Sequence, residues 1–165
     1  MKPIKIYLSA RISKDAHEWN EKVCGVLRSP FEIFQPHQHN PWNIAHEKLE
    51  RHVYQTDLDA MIASDMGLLL PPYGRDCAWE TGWYACSEKP LVVFASGQTE
   101  WLRDWMVKGG VDHVITDDAV TYAKLSSDQI LRKEQITFIP TLSDLHRALL
   151  SFYKEHAASK DLQPA

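Results

Sequence analysis

Four short apolar runs, separated by stretches with helical spacing, place the strongest constraint on how this chain can fold. The runs cover residues 4–8, 31–34, 66–70 and 90–95. Their apolar residues are mostly continuous and do not alternate with polar ones. This pattern is typical of strands that are buried on both faces of a parallel sheet.

Apolar residues at helical spacing fill the gaps between these runs. They predict helices over residues 16–27, 54–62, 76–87 and 142–152, the last with Thr141 as its N-cap. In the second helix, the predicted buried stripe consists of Tyr54, Leu58, Met61 and Ile62. Residues 101–107 also have helical spacing, whereas residues 114–116 and 136–139 compete to be the fifth strand.

This alternation predicts a single-domain α/β sandwich, doubly wound in the flavodoxin or Rossmann manner, with a mainly parallel sheet of about five strands. The domain is expected over residues 1–156, and residues 157–165 are expected to form a loose tail. Right-handed crossovers place the ligand cleft at the carboxyl ends of the strands. Ser9 and Arg11 follow the first strand and are therefore candidate substrate-binding residues.

Composition narrows the class of protein. The 165 residues are 44% apolar and 24% charged, which is enough apolar material for a core. A net charge of −4 without a Lys/Arg cluster argues against nucleic acid as a partner, and no apolar run is long enough for a membrane span. The absence of a signal-peptide pattern and the odd number of cysteines (Cys24, Cys77, Cys86) favour a cytoplasmic protein with reduced thiols.

Glu80 is the first candidate for chemistry, because it lies about one turn into the helix that follows the third strand. A carboxylate that is kept ionised at a cleft can act as a nucleophile, although a glutamate there can also simply offset the helix dipole. Trp79 and Trp83 flank it, and aromatic rings beside a cleft can stack on a flat ligand. The small residues Gly82 and Ala85 are expected to let this helix pack close to the sheet.

Two aspartates are candidates for a second carboxyl group. Asp57 borders the predicted buried stripe, so it is either a group at the cleft or a solvated flank residue. Asp76 lies at the junction between the loop and the helix that carries Glu80, and it is either an N-cap or a group that bonds to a ligand.

His37, His39 and His46 suggest a metal site, but no further ligand completes one. No phosphate-binding glycine loop is visible either. We therefore expect neither a metal nor a cofactor.

Three segments, in this order and spacing, resemble the nucleoside 2-deoxyribosyltransferase family and the related nucleotide N-glycosidases. They are Ile6-Tyr7-Leu8-Ser9-Ala10-Arg11, Tyr54-Gln55-Thr56-Asp57-Leu58 and Ala78-Trp79-Glu80-Thr81-Gly82. The resemblance covers roughly residues 4–95, with a weaker patch at 101–116.

The resemblance implies roles for individual residues. Glu80 would attack the anomeric carbon of a deoxynucleoside and form a covalent deoxyribosyl-enzyme, while Tyr7 would hold this nucleophile. Asp57 and Asp76 would contact the base and assist its departure. Trp79 would lie in the base pocket.

The weaker patch implies a homo-oligomer with shared active sites. Asp104 and Met106 lie in a segment that would reach the neighbouring subunit's site, where Asp104 would bind the sugar 5′-hydroxyl. The same patch can also be read as an ordinary surface helix. The usual D-x-G-T-x-x-E motif is shortened here to Asp76-Cys77-Ala78-Trp79-Glu80, which leaves the role of Asp76 open.

Chemistry and resemblance together predict base exchange on 2′-deoxynucleosides, with a free nucleobase as the second substrate. A carboxylate stabilises the oxocarbenium-like sugar, and a second, protonated carboxyl group can donate to the leaving base. Hydrolysis of a nucleoside or of a nucleoside 5′-monophosphate is the alternative enzymatic reading. A non-catalytic module that senses nucleotides is the alternative from another class.

Overall fold

Six strands form one sheet in the computed structural model, which describes residues 2–39 and 46–161. The strands are β1 (Ile4–Ala10), β2 (Phe31–Phe34), β3 (Met66–Leu70), β4 (Leu91–Phe94), β5 (His113–Thr116) and β6 (Ile136–Phe138). Their order across the sheet is β2-β1-β3-β4-β5-β6, and every neighbouring pair is parallel. The predicted doubly wound α/β class is therefore confirmed.

Helices cover both faces of this sheet. They are α1 (Lys14–Val26), α2 (Pro36–His39), α3 (His46–Ala63), α4 (Arg75–Ala85), α5 (Trp105–Gly109), α6 (Ala119–Ser126) and α7 (Leu145–Asp161). On one face, α1 and α7 pack on residues such as Ile6 and Leu8. On the other face, α3 to α6 pack on Tyr7, Leu69 and their neighbours. Because side chains alternate along a strand, Tyr7 and Ser9 of β1 point together toward the face that carries α4.

The two segments that competed to be the fifth strand are both strands. β5 pairs with β4, and β6 continues the sheet through the pairing of Val114 with Ile136. The expectation of about five strands was therefore one too few. As a three-residue strand with a partly exposed face, β6 lacks the continuous apolar run by which the buried strands are identified.

The predicted buried stripe of α3 is wrong in part. Met61 is fully buried, but Tyr54 and Ile62 are each 56% exposed. Asp57 lies one turn before Met61 on the same face of the helix, and it is half-buried. The inward face of α3 therefore carries a carboxyl group, and Asp57, predicted at the border of the stripe, is not a fully solvated flank residue.

The glycine that brings α4 close to the sheet lies in the strand, not in the helix. A Cβ atom at Gly67 of β3 would come within 2.6 Å of Leu91 and 2.8 Å of Tyr84. Gly82 and Ala85 are exposed, and a Cβ atom at Gly82 would meet nothing within 4 Å. The expected role of Gly82 and Ala85 against the sheet is therefore wrong.

Two helical segments differ in extent from the predictions. The helix expected over 101–107 is divided at Asp104 into a 3₁₀ turn (Glu100–Arg103) and α5. The last helix continues to Asp161, into the segment that was expected to be a loose tail. A hydrogen bond from Lys160 to the Glu88 carbonyl holds this extension on the body of the protein.

Helices long and apolar enough to span a membrane are absent from the described segments.

Candidate active site

The centre of the site is the Glu80 carboxylate, which is bound by two hydroxyl groups of β1. Tyr7 donates a hydrogen bond to Oε1 at 2.8 Å, and Ser9 donates one to Oε2 at 2.5 Å. Tyr7 and Ser9 are both essentially inaccessible to solvent, and Glu80 is buried as well. The alternation of β1 thus places one hydroxyl donor on each oxygen of the carboxylate.

Burial and hydrogen bonding shift the pKa of Glu80 in opposite directions. Burial raises the pKa of Glu80, as does the nearby charge of Asp76, whereas the Ser9 and Tyr7 hydroxyls lower it. Burial and the charges of Glu80 and Asp57 also raise the pKa of Tyr7 far above its usual range, so its hydroxyl keeps its proton. Both donors therefore stay available to the carboxylate.

Asp57 supplies a second carboxyl group in a different environment. Its Oδ1 atom is buried and has no hydrogen-bond partner among the described residues. Burial, followed by the charges of Glu80 and Asp76, raises the pKa of Asp57 from 3.8 to about 6. A carboxyl group with this pKa still carries a proton in part of the molecules near neutral pH, and it can donate that proton.

Asp76 is not the N-cap of α4, because Gly74 occupies that position and Asp76 lies in the first turn. The side chain is exposed, and its charge contributes to the raised pKa values of Asp57 and Glu80. The structure therefore places Asp76 electrostatically next to both carboxyl groups.

Aromatic side chains form the rim of the site. Trp79 of α4 is 52% exposed, and its ring lies 6.3 Å from that of Tyr54 on α3. Trp83 lies elsewhere, edge-on to the buried Tyr84 and near the Lys89 ammonium. Of the two tryptophans that flank Glu80 in sequence, Trp79 is thus the one whose ring faces the helix that carries Asp57.

Sequence reasoning missed a stack of rings beside Tyr7. Phe34, the last residue of β2, lies parallel to Tyr7 at 5.8 Å, and the His39 ring lies parallel to Phe34 at 4.3 Å. The position of Phe34 at the carboxyl end of a strand was the available signal, since ligand clefts form there. The stack supports the ring whose hydroxyl binds Glu80.

The buried Cys77 thiol lies one turn before Glu80 and was also not recognised. Burial and the charge of Glu80 raise the pKa of Cys77 to about 12. The thiol is therefore protonated at neutral pH and is not a nucleophile there.

Arg11 lies apart from the carboxyl groups. Its guanidinium is 3.4 Å from the Asp15 carboxylate, one turn along the start of α1. It lines a cavity of about 230 Å³ together with Trp19, Pro71 and Gln98. Tyr7, Ser9, Asp57 and Glu80 are not among the residues that line this cavity.

Asp104 and Met106 lie on the other side of α4 from Glu80. Tyr73 donates a hydrogen bond to Asp104 Oδ2 at 2.6 Å, and both residues line a surface cavity with Ala78 of α4. Ala78 lies about 160° around the helix from Glu80. Met106 in the same cavity is 91% exposed. Within one chain, the structure does not bring these two residues to Glu80.

No cluster of three potential metal-binding side chains is present in the part of the chain that the structure describes. His37 is instead stacked on His17 at 4.5 Å, and His39 is stacked on Phe34. The His46 side chain lies outside the described residues.

Comparison with protein families matches residues 3–98 to the model of nucleoside 2-deoxyribosyltransferase-like proteins. This match covers more than half of the chain. The chain belongs to the nucleoside 2-deoxyribosyltransferase-like family. The resemblance drawn from three sequence segments is thereby confirmed.

A solved structure supports the same fold. The 2-deoxyribosyltransferase of the bacterium Bacillus psychrosaccharolyticus superposes with a TM-score of 0.53 at 18% identity, over 67% of this chain and 84% of that chain. None of the proteins with a curated description matches the sequence. At this identity, the likeness shows a shared α/β fold for this member of the deoxyribosyltransferase-like family.

The relatives act on nucleosides. At the level of the family, this chain is therefore a transferase-like enzyme with small-molecule substrates. In this family member, the β3–α4 link is four residues long, from Pro71 to Gly74. The shortened motif, Asp76-Cys77-Ala78-Trp79-Glu80, lies inside α4.

Proposed function

We propose that the protein is a nucleoside 2-deoxyribosyltransferase that exchanges the base of 2′-deoxynucleosides by a retaining double displacement. The observation that carries this proposal is a pair of carboxyl groups in different environments. Glu80 is held by two hydroxyl donors, whereas Asp57 has a buried, unpartnered oxygen atom. Retaining cleavage of a glycosidic bond requires one carboxylate as nucleophile and one carboxyl group as acid.

In the first step, a Glu80 oxygen forms a bond to C1′ of the sugar while the C1′–N bond to the base breaks. The base leaves with the electron pair of that bond and takes a proton from the second carboxyl group, for which Asp57 is the candidate. In the second step, a nitrogen of the acceptor base attacks C1′, and the electron pair of the ester bond returns to Glu80. Asp57 regains its proton from the incoming base.

Trp79 and Tyr54 are proposed to border the nucleobase. Their rings are more than half exposed, and they lie between the helices that carry Glu80 and Asp57. Aromatic rings in such a position can stack on a flat heterocycle. Asp76, at the first turn of α4, would keep the pKa of Asp57 raised and contact the base from the open side.

The charges around Asp104 favour a nucleoside over a 5′-monophosphate. Tyr73 binds the Asp104 carboxylate, whose negative charge would repel a phosphate group. Of the three cations that could offset this repulsion, Arg11 faces Asp15 and the buried Lys108 binds Asp128 at 2.5 Å, whereas Arg75 lines the same cavity as Asp104. We therefore propose that the substrate has a free 5′-hydroxyl group.

We also propose a homo-oligomer whose subunits complete one another's sites. Asp104 lines the cavity on the Ala78 side of α4, and Trp105 and Met106 beside it are 71% and 91% exposed. A second copy that covers this apolar surface could receive Asp104 at its own substrate. The three cysteines are free thiols, which suits the reducing cytoplasm that we propose as the location.

Base exchange can be tested by incubating the protein with 2′-deoxyinosine and free adenine or cytosine, followed by chromatography. We expect new deoxynucleoside from the wild type and none from Glu80→Gln, which keeps the size of the side chain but removes the nucleophile. Glu88→Gln is the matched control, since Glu88 is exposed beyond the end of α4.

Other outcomes would change the assignment. Release of free base without exchange would indicate a hydrolase, and faster release from deoxyinosine 5′-monophosphate would contradict the proposed nucleoside specificity. If a broad panel of nucleosides and nucleotides bound without turnover, the protein would be a sensing module.

A further inference from the structure

Ser9 differs from an ordinary substrate-binding residue because its hydroxyl group is already used. The side chain is 1% exposed, and its Oγ donates to Glu80 Oε2 at 2.5 Å. The backbone is fixed as well, since Ser9 pairs with Leu69 inside the parallel β1–β3 ladder. The hydroxyl is thus built into the sheet and directed at the carboxylate.

We propose that Ser9 is a positioning residue that acts through Glu80 and speeds the breakdown of the covalent sugar–enzyme ester. The inference rests on the proposed function, and it replaces the expected role of Ser9 as a substrate contact. Tyr7 occupies Oε1 and Ser9 occupies Oε2, so neither oxygen is free of an O–H donor. Each oxygen keeps a second lone pair with which it can attack the sugar.

The two hydroxyls have opposite effects on the two halves of the reaction. Hydrogen bonds to a carboxylate stabilise its negative charge, which makes it a weaker nucleophile and a better leaving group. When the acceptor base bonds to C1′, the bond between C1′ and Glu80 breaks and the electron pair returns to the carboxylate. Donors on that carboxylate therefore lower the barrier of this second step.

Ser9 can be removed without disturbing the other groups around Glu80. Five titratable side chains on β1, α3 and α4 face this carboxylate. They are Tyr7, Asp57, Asp76, Cys77 and Tyr84. None of the five is a cation, so the contacts that stabilise the ionised carboxylate are hydrogen bonds from the hydroxyls of Ser9 and Tyr7 and from the Cys77 thiol. Ser9→Ala deletes a single oxygen atom and leaves all five side chains in place.

The first measurement needs no substrate. The titration of the Glu80 carboxyl carbon is followed by NMR in protein labelled with carbon-13 glutamate, and its signal is assigned by its loss in Glu80→Gln. We expect a higher pKa of Glu80 in Ser9→Ala than in the wild type. Ser9→Thr, which keeps a hydroxyl and suits a strand, is expected to restore the wild-type titration.

The second measurement follows the ester itself. After rapid acid quenching with a deoxynucleoside and an acceptor base, intact-mass spectrometry gives the fraction of enzyme that carries the sugar. We expect this fraction to rise in Ser9→Ala, and kcat to fall by about tenfold, the size of one hydrogen bond to a charged group. The value of kcat/KM should not fall with it, because kcat/KM reports formation of the ester, and a carboxylate with one donor fewer is the stronger nucleophile.

Ser64→Ala is the matched control. Ser64 is also a buried serine whose hydroxyl is hydrogen-bonded, but its partners are the Met61 carbonyl and the Tyr84 hydroxyl, and neither of these is hydrogen-bonded to the Glu80 carboxylate. It should leave the Glu80 titration and the ester fraction unchanged.

The inference would be overturned if Glu80 titrated in the Ser9→Ala variant as it does in the wild type and the variant turned over at the wild-type rate. It would also be overturned if kcat and kcat/KM fell equally and the fraction of enzyme that carries the sugar did not rise. If the Glu80 titration shifts but the wild type forms neither ester nor product, the proposed function fails and the Ser9–Glu80 coupling stands.

Discussion

At the scale of single residues, the site depends on how far each carboxyl group departs from its behaviour in water. Burial disfavours the ionised form of Glu80, whereas two hydroxyl donors stabilise it. Burial and two negatively charged neighbours disfavour the ionised form of Asp57. Its buried oxygen has no compensating hydrogen-bond donor among the described residues. The pKa values of both groups are raised by burial, but only Glu80 has hydroxyl donors that stabilise its ionised form, so the two carboxyl groups lie in different environments, as an acid and a nucleophile require.

The unfavourable environment of the ionised Asp57 carboxylate should be measurable as a pH-dependent decrease in the free energy of unfolding. The pKa of Asp57 is about 6 in the folded protein and near 3.8 in the unfolded chain. Between roughly pH 4 and pH 6, the folded state therefore holds a proton that the unfolded chain has already released. The free energy of unfolding therefore falls as the pH rises through this window. Asp57→Asn should remove the loss and raise Tm at pH 8, while changing it little at pH 4.

The size of this effect is limited by solvent. Asp57 is only half-buried, so we expect a gain of about 1 kcal/mol, or roughly 2–4 °C in Tm. Asp59→Asn is the control, because Asp59 is exposed on the same helix. An equal change in Tm at pH 4 and pH 8 would show that the Asp57 carboxyl is not destabilising when ionised.

At the scale of elements, the position of Glu80 depends on how closely α4 approaches β3. Tyr84 of α4 packs over Gly67, whose missing side chain leaves room for the ring. The same helix carries Glu80 one turn earlier, on the face that meets β1. The glycine in the strand is therefore part of what places the carboxylate beside Tyr7 and Ser9.

Gly67→Ala should be destabilising by about 1–3 kcal/mol, because its Cβ would overlap Leu91 and Tyr84 in a closed core. Chemical denaturation gives this difference directly. The matched variant is Gly25→Ala in α1, where a Cβ meets nothing within 4 Å and helix propensity predicts a gain of up to about 1 kcal/mol. Equal stability of Gly67→Ala and the wild type would mean that α4 can move away from the sheet at no cost.

At the scale of the whole molecule, an exposed apolar surface accompanies a candidate residue that lies away from its own site. Trp105 and Met106 protrude from α5, and Asp104 lies directly before them at the break between two short helices. One chain alone leaves this surface in water. A second copy would both bury it and give Asp104 access to a substrate.

The protein should therefore self-associate, and Met106→Glu should weaken the association. Light scattering during size-exclusion chromatography gives the mass of each form. Val120→Glu on α6 is the control, since Val120 is also apolar and 62% exposed but lies on another element. A monomeric wild type at micromolar concentration, or equal dissociation by both variants, would contradict the prediction.

Mixing two inactive variants tests whether the sites are shared. Glu80→Gln and Asp104→Ala subunits should each lack activity, but a mixed oligomer contains sites with an intact Glu80 and an intact Asp104. Activity should then return in part on mixing. No recovery in confirmed mixed oligomers would place Asp104 outside the partner's site.

The first four strands and the fold class could be predicted because burial on both faces leaves continuous apolar runs that are visible without neighbours. β6 and the inward face of α3 could not be predicted as securely. A short edge strand is defined mainly by its pairing with β5, and the exposure of Tyr54 and Ile62 depends on how α3 is rotated against the sheet. Rotation of a helix is a property of packing, which local periodicity reports only approximately.

The sequence by itself determined the α/β alternation, the family and the candidate roles of Glu80, Asp57 and Tyr7, because these depend on residue type and order. Only the tertiary structure decided that Ser9 binds Glu80, that Arg11 lines a cavity with Pro71 and Gln98, and that Asp104 accepts a hydrogen bond from Tyr73. These are relations between residues far apart in the chain, and they exist only once β1, α1, α4 and α5 are packed on one sheet. The physical reason is that a hydrogen bond or an ion pair depends on distance and direction, and neither is encoded locally.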